Sequence, residues 1–293
     1  MKRSILAVLA LGLAAATPVW PQATRAPIET RKVEGTDGVY IFRNVNHQTV
    51  FIVTSDGVIA FDPVAYGKPE GGRQYVEEIR KVTDKPIKYL VYSHHHFDHI
   101  AGGKAFKDAG ATIVAHRRAT ERLAVLQDPH TPLPDESIGD DGKVFRMGGT
   151  IVELSYVGLN HSDSTLVMRM PQHRLIFVVD LLPVGAFPGL GMLDFHPLEA
   201  MEGYKKILAM DWDRMIPGHP GPGDRLGNRQ DVLEHIALQQ EASDAVKAWA
   251  REGKCWFPAE RELKLPKYEN MPNYANGLPY VIRRYCSLWG RGT

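Results

Sequence analysis

Ile87-Lys88-Tyr89-Leu90-Val91-Tyr92-Ser93-His94-His95-His96-Phe97-Asp98-His99 is the stretch whose reading decides the fold. Its first six residues form an apolar, β-rich run between turn residues, the pattern of a buried strand. Ala101-Gly102-Gly103 and a helix-like segment follow, so four histidines and an aspartate sit where a strand delivers its end into a loop. In α/β proteins ligands bind at such ends. Alternate side chains of an extended backbone share a side, which brings His94, His96 and Asp98 together, and His99 comes round from the next turn. Imidazole nitrogens with a carboxylate suit zinc or a similar divalent metal. Donors for two ions on one strand end point to a dinuclear site. His95 lies between the convergent histidines and is read as structural.

Outward from this motif, the N-terminus reads as an export signal. Lys2-Arg3 is a basic start and Ile5 to Ala16 an apolar run too short to span a bilayer comfortably. Residues 1–23 are therefore assigned to a signal peptide, cleaved after Ala16 or Ala23, and the mature protein is expected to be periplasmic or secreted, with no membrane anchor. A formal charge of +1 and no basic run argue against a nucleic-acid partner. The two cysteines, Cys255 and Cys286, can pair in an oxidising compartment.

Between these ends, strands are expected at Val39 to Phe42, Thr49 to Val53 and Val58 to Phe61, then a helix over Pro69 to Val82. After the motif come a short helix near Lys104 to Asp108, a strand at Thr112 to Ala115, a helix over Arg118 to Leu126 and a Pro/Asp-rich loop from Asp128 to Asp141. Further strands are read at Thr150 to Val157, Ser164 to Met170, Leu175 to Asp180 and Arg214 to Ile216. Helices are read at Pro197 to Met210 and Asp224 to Arg251. This order suggests two similar halves with sheets packed together and helices outside. Residues 24–253 form the main domain, and 254–293 an aromatic-rich extension packed on it.

Three later residues repeat the motif's placement: His161 just past a strand, Asp180 at the end of another, and His219 in Pro217-Gly218-His219. With Ser-His94-His-His96-Phe-Asp98-His99, Asn-His161-Ser, Phe-Val-Val-Asp180 and Ile-Pro-Gly-His219 in that order, the chain resembles the metallo-β-lactamase fold superfamily over about Val39 to Pro220. The resemblance implies an αβ/βα four-layer sandwich with metals at the sheet edge. It places one metal on His94, His96 and His161 and the other on Asp98, His99 and His219, with Asp180 bridging. Asp62 would stand behind the ligands and orient one of them. The expected cofactor is two Zn²⁺, with iron or manganese as alternatives.

A carboxylate at Asp180 resembles the family's lactonases and glyoxalase-II-like thioesterases more than its zinc β-lactamases. The expectation is an exported dinuclear zinc hydrolase in which a metal-bridging hydroxide cleaves an ester, lactone or related carbonyl bond of a small molecule. Asp98, facing the bridging water in this family, would orient it and pass on a proton. Competing readings are a zinc-dependent β-lactamase, an iron-dependent thiol or persulfide oxygenase, and a non-catalytic periplasmic metal-binding partner of a redox system. The loop Leu181 to Phe195 and the hairpin residues Asn46-His47 are expected to wall the substrate site, without assigned substrate contacts.

Overall fold

Short β-branched and aromatic runs separated by tight turns build two sheets, and the apolar helix faces cover their outer sides. The computed structural model describes residues 27–293. The signal segment read over residues 1–23 lies outside the described residues. The first half contains β1 (Ile28–Lys32), β2 (Val39–Asn44), β3 (His47–Val53), β4 (Val58–Phe61), α1 (Gly71–Val82), β5 (Ile87–Val91), α2 (Phe97–Ile100), α3 (Gly103–Asp108), β6 (Thr112–His116), α4 (Arg117–Leu126) and β7 (Glu136–Ile138). The second contains β8 (Lys143–Met147), β9 (Thr150–Tyr156), β10 (Leu166–Met170), β11 (Leu175–Val178), α5 (Pro197–Ala209), β12 (Arg214–Pro217), α6 (Arg229–Arg251), α7 (Phe257–Glu262) and α8 (Tyr274–Arg291).

The first sheet runs in simple order β1 to β7, antiparallel through β4 and parallel from β4 to β7. The second runs β12-β11-β10-β9-β8, with only β11 and β12 parallel. Between the sheets lies one apolar layer, in which Ile41, Ile52, Ile59 and Val91 meet Leu154, Met168 and Phe177. A second layer joins the outer face of the first sheet to α1 and α3 through Phe42, Tyr75, Ile79 and Phe106. A third joins the second sheet to α5, α6 and α8 through Tyr204, Trp212, Val246 and Tyr285. Three apolar layers between four structural ones make the expected αβ/βα sandwich.

Some boundaries differ from the sequence reading, each for a local reason. The long helix starts at Arg229 rather than Asp224, because the Asn228 side chain accepts from the Gln230 and Asp231 backbone while Asp231 bonds back to the Asn228 N–H, a capping box. The loop expected from Asp128 to Asp141 contains β7, short and half-covered at the sheet edge. The aromatic tail contains the 18-residue α8, whose buried Leu278, Val281, Ile282, Tyr285 and Cys286 recur at helical spacing. Cys255 and Cys286 form a disulfide that ties the end of α6 to α8. No helix of the described residues is long and apolar enough to cross a membrane.

Candidate metal centre

Parallel strands β4 and β5 of one sheet, and β11 and β12 of the other, end at the same edge of the sandwich. The loops that leave them carry Asp62, the histidine motif, Asp180 and His219. His161 comes from the loop between β9 and β10. Asp62 and Asp180 take positive φ values of 20° and 58°, unusual for a side chain larger than glycine. Such conformations are held where the surroundings demand them. Gly218 is needed beside them, since a Cβ there would sit 3.1 Å from the His99 ring and 3.3 Å from Asp180 Oδ1.

Two groups of donors face each other across this edge: His94, His96 and His161 in one, and His47, Asp98, His99 and His219 in the other. His96 Nδ1 lies 2.9 Å from His161 Nε2, and His99 Nε2 lies 3.3 Å from His219 Nε2. Asp180 stands between the groups. Its Oδ2 is 2.9 Å from His99 Nε2, 3.6 Å from His161 Nε2 and 3.9 Å from His94 Nε2, while Oδ1 is 3.2 Å from His219 Nε2. All seven predicted metal residues therefore meet in one place.

The far nitrogens of these rings decide which atoms are left for a ligand. His219 Nδ1 donates to the Asn46 carbonyl at 2.9 Å, and His161 Nδ1 to the Gly191 carbonyl at 3.2 Å. His96 Nε2 faces Asp194 Oδ2 at 3.4 Å, and His94 Nδ1 pairs with Ser93 Oγ at 2.9 Å. With those positions holding protons, the inward nitrogens present lone pairs to one another. Buried His94 Nε2 has no hydrogen-bond partner among the described residues. Lone pairs facing at such distances repel unless a cation or proton lies between them, and two zinc ligands of about 2.05 Å in tetrahedral array stand roughly 3.3 Å apart. The donor set fits a pair of borderline divalent metals, with nitrogen and carboxylate ligands and no thiolate.

Burial pushes the His94 imidazole well below its ordinary pKa, and neighbouring His96 and His99 push it further, so the ring stands neutral. Burial would raise the Asp180 carboxyl, but His99 and His219 outweigh it and hold Asp180 well below the usual carboxylate range. His219 moves the other way, its burial outweighed by Asp180, to about 9. These opposite shifts mark a site built around shared positive charge, the part a metal takes over from protons. Asp98 is likewise held down to about 2, where the His47 hydrogen bond and the His99 ring overcome its burial. Asp62, fully buried, is raised to about 6 by desolvation, against the pull of His99 and the Ser93 N–H, which it accepts at 2.7 Å.

His95 turns away from the donors, as expected. Its Nδ1 meets Ser162 Oγ and Ser164 Oγ, each at 3.0 Å, which ties the motif to the loop that carries His161. Two residues of the site escaped the sequence reading. His47 was expected only to wall the substrate, yet its Nε2 lies 3.3 Å from Asp98 Oδ2 inside the second donor group. Asp194, within the loop Leu181 to Phe195, places Oδ1 3.1 Å from His161 Nδ1 while Oδ2 faces His96. No periodicity marks Asp194 in a loop rich in glycine and proline. His47 could have been singled out as a polar tip on a hairpin that enters the same sheet edge.

Over the donors opens a cavity of about 1230 Å³. Leu181, Leu182, Val184, Phe187, Met192 and Phe195 line it from one loop, and Tyr66, Phe97 and Leu126 from the other half.

This fold and donor set belong to a known class. The Metallo-beta-lactamase superfamily model matches residues 43–219, and the chain is a member of that superfamily of metal-dependent hydrolases. Among relatives, the chain is 28% identical over 201 residues to the 2,4-dinitroanisole O-demethylase subunit alpha of Nocardioides sp. (strain JS1661), covering 68% of this chain and 58% of that protein. It is 25% identical over 194 residues to the metallo-beta-lactamase type 2 of Elizabethkingia meningoseptica, covering 64% of this chain and 74% of that one. Among solved structures, a stereoselective inverting sec-alkylsulfatase from Pseudomonas sp. superposes with a TM-score of 0.70 at 15% identity, over 87% of this chain and 49% of that one. The chain thus spans little more than half the length of the O-demethylase subunit and about half that of the alkylsulfatase.

Proposed function

We propose that the protein is an exported dinuclear zinc hydrolase that cleaves an ester, lactone or related carbonyl bond in an uncharged small molecule. The observation that carries this reading is the chemistry of the cavity wall. Among the described lining residues none is lysine or arginine, and the charged groups lie at the donors themselves. β-Lactams carry a carboxylate away from the scissile bond, and such a wall offers no lysine or arginine to hold it there. An ester or lactone needs none. The carboxylate of Asp180, reaching toward both donor groups, supports the same reading.

In this proposal His94, His96 and His161 would hold one metal and Asp98, His99 and His219 the other, with Asp180 within reach of both donor groups. Bound metals supply a water of lowered pKa and a Lewis acid for the carbonyl oxygen. The chain's residues do the rest. Asp98, ionised at neutral pH and open to the cavity, orients the attacking water and passes its proton to the leaving group. The apolar loop excludes bulk water around the scissile bond. Asp62, hydrogen-bonded to the Ser93 backbone directly before the motif, steadies the strand end and the His99 ring.

The test is a panel of lactones, aryl esters, thioesters, β-lactams, alkyl sulfates and an activated aryl methyl ether, offered to zinc-loaded protein. Turnover of lactones or aryl esters above all others is expected, together with about two zinc per chain by elemental analysis. Preference for β-lactams would return the protein to the lactamases. Iron in the purified protein would favour the oxygenase, and turnover of none of the panel would favour a metal-binding partner of a redox system.

A further inference from the structure

The cavity does not end at the metal donors. Its far wall is made by His235 and Gln239 of α6 and by Pro272 and Asn273 just before α8. All four lie beyond the matched family region, which closes at residue 219. The catalytic edge lies within the matched region, whereas this wall is built by the C-terminal part that follows it.

His235 is 5% exposed and Gln239 2%. Their polar atoms are aligned from behind. The Tyr285 hydroxyl of α8 donates to Gln239 Oε1 at 2.7 Å, which turns the Gln239 amide nitrogen toward His235 Nε2 at 3.0 Å and Met192 Sδ at 3.6 Å. Nε2 of His235 then accepts, so its proton sits on Nδ1. Nδ1 has no hydrogen-bond partner among the described residues, while the Tyr204 ring meets the imidazole edge-on at 5.4 Å. Nδ1 is not among the fully buried unpartnered polar atoms, so it is a donor left open to a ligand. The ring lines the cavity, and the other amide donors of this wall, Gln239 and Asn273, are already engaged by His235 Nε2 and the Phe187 carbonyl.

We propose that His235 forms a distal recognition point, which accepts the far end of an elongated apolar substrate when that end carries an uncharged hydrogen-bond acceptor such as a hydroxyl, ether or carbonyl oxygen. The assignment rests on the cavity being the substrate site, as proposed above, but not on which bond is cleaved there. Burial holds the imidazole neutral, in keeping with an uncharged partner. The arrangement also gives the C-terminal extension a task, since Tyr285 aligns the pair from α8.

Binding rather than turnover tests it. Zinc-loaded protein is titrated calorimetrically with alkyl hydroxamic acids of graded chain length and with their ω-hydroxy counterparts. The hydroxamate is the anchor at the donors, and the chain reaches along the cavity. At one chain length the ω-hydroxy compound is expected to bind roughly fivefold tighter, the worth of one net hydrogen bond. His235→Phe should abolish or reverse that preference at the chain length where the wild-type protein shows it. Tyr285→Phe, which keeps the imidazole but frees Gln239, should reduce it. No preference at any length in the wild-type protein overturns the proposal without recourse to a variant, and so does failure of the plain hydroxamates to bind. Absence of ester turnover with the preference intact would instead sink only the ester reading.

Discussion

The two donor groups of the centre are built differently. His94, His96 and His161 are braced from behind by Ser93, Asp194 and the Gly191 carbonyl, and His94 is wholly buried. The second group is open: the Asp98 and His219 side chains are 40% and 41% exposed, and its bracing comes from the hairpin between β2 and β3 through the Asn46 carbonyl and His47. Braced rings lose little freedom on binding a metal, and residues that orient ligands raise affinity. The first group should therefore hold its metal tightly and the second hold it loosely beside the substrate.

Asp180→Asn strikes both groups and should have the largest effect. Removing the charge shared by His99, His161 and His219 should empty the second position and lower turnover by more than about a hundredfold, beyond the 10–100-fold typical of residues that only orient a ligand. Elemental analysis after gel filtration, with and without excess zinc, reads the first; steady-state kinetics reads the second. A variant with two metals and near-normal turnover would remove Asp180 from the centre.

Asp194→Asn and His47→Ala sharpen the contrast, because each touches one group alone. The first should weaken the tight metal about tenfold and the second the loose metal about tenfold. Competition with a chromophoric chelator resolves the two affinities. If both variants weaken the same metal, the difference between the groups is not real. Asp62→Asn should be milder than Asp180→Asn in the same titration, since Asp62 reaches the donors through the Ser93 backbone and the His99 ring.

The smallest effect on metal is expected from replacing Cys255 and Cys286 with serine. Both metals should remain, while stability in denaturant falls by roughly 3–4 kcal/mol for the loop of 31 residues the disulfide closes. Thiol titration of the denatured, unreduced wild-type protein should count no free sulfhydryl.

The sandwich and the centre were readable in the sequence wherever a chemistry-bearing residue followed a strong apolar run. Val91 to His99 and Met215 to His219 are of that kind, and the order of four such motifs carried the family. What escaped was set by tertiary contact. β1 is the polar run Ile-Glu-Thr-Arg-Lys at a sheet edge, with one face covered only in part. α8 contains Gly277 and Pro279 in its first two turns, which disguised a regular apolar stripe further along. Asp194 depends on how a loop without periodicity folds back over His96 and His161. His47 was visible on its hairpin, but its distance to Asp98 spans 51 residues of chain.

Each donor group draws on both sheets. The five-stranded sheet supplies His161 to one and His219 to the other, and the remaining rings and Asp98 come from the seven-stranded sheet. Binding there is therefore also an act of assembly: a metal that recognises only the docked halves contributes its mass-action term to their union, about 2.7 kcal/mol for each ion at a hundredfold over its dissociation constant. Chelation should loosen the seam between the halves before it unravels either one. Amide exchange in the presence of chelator should then quicken first at Gln48, whose N–H bonds the Gly218 carbonyl across that seam at 2.8 Å.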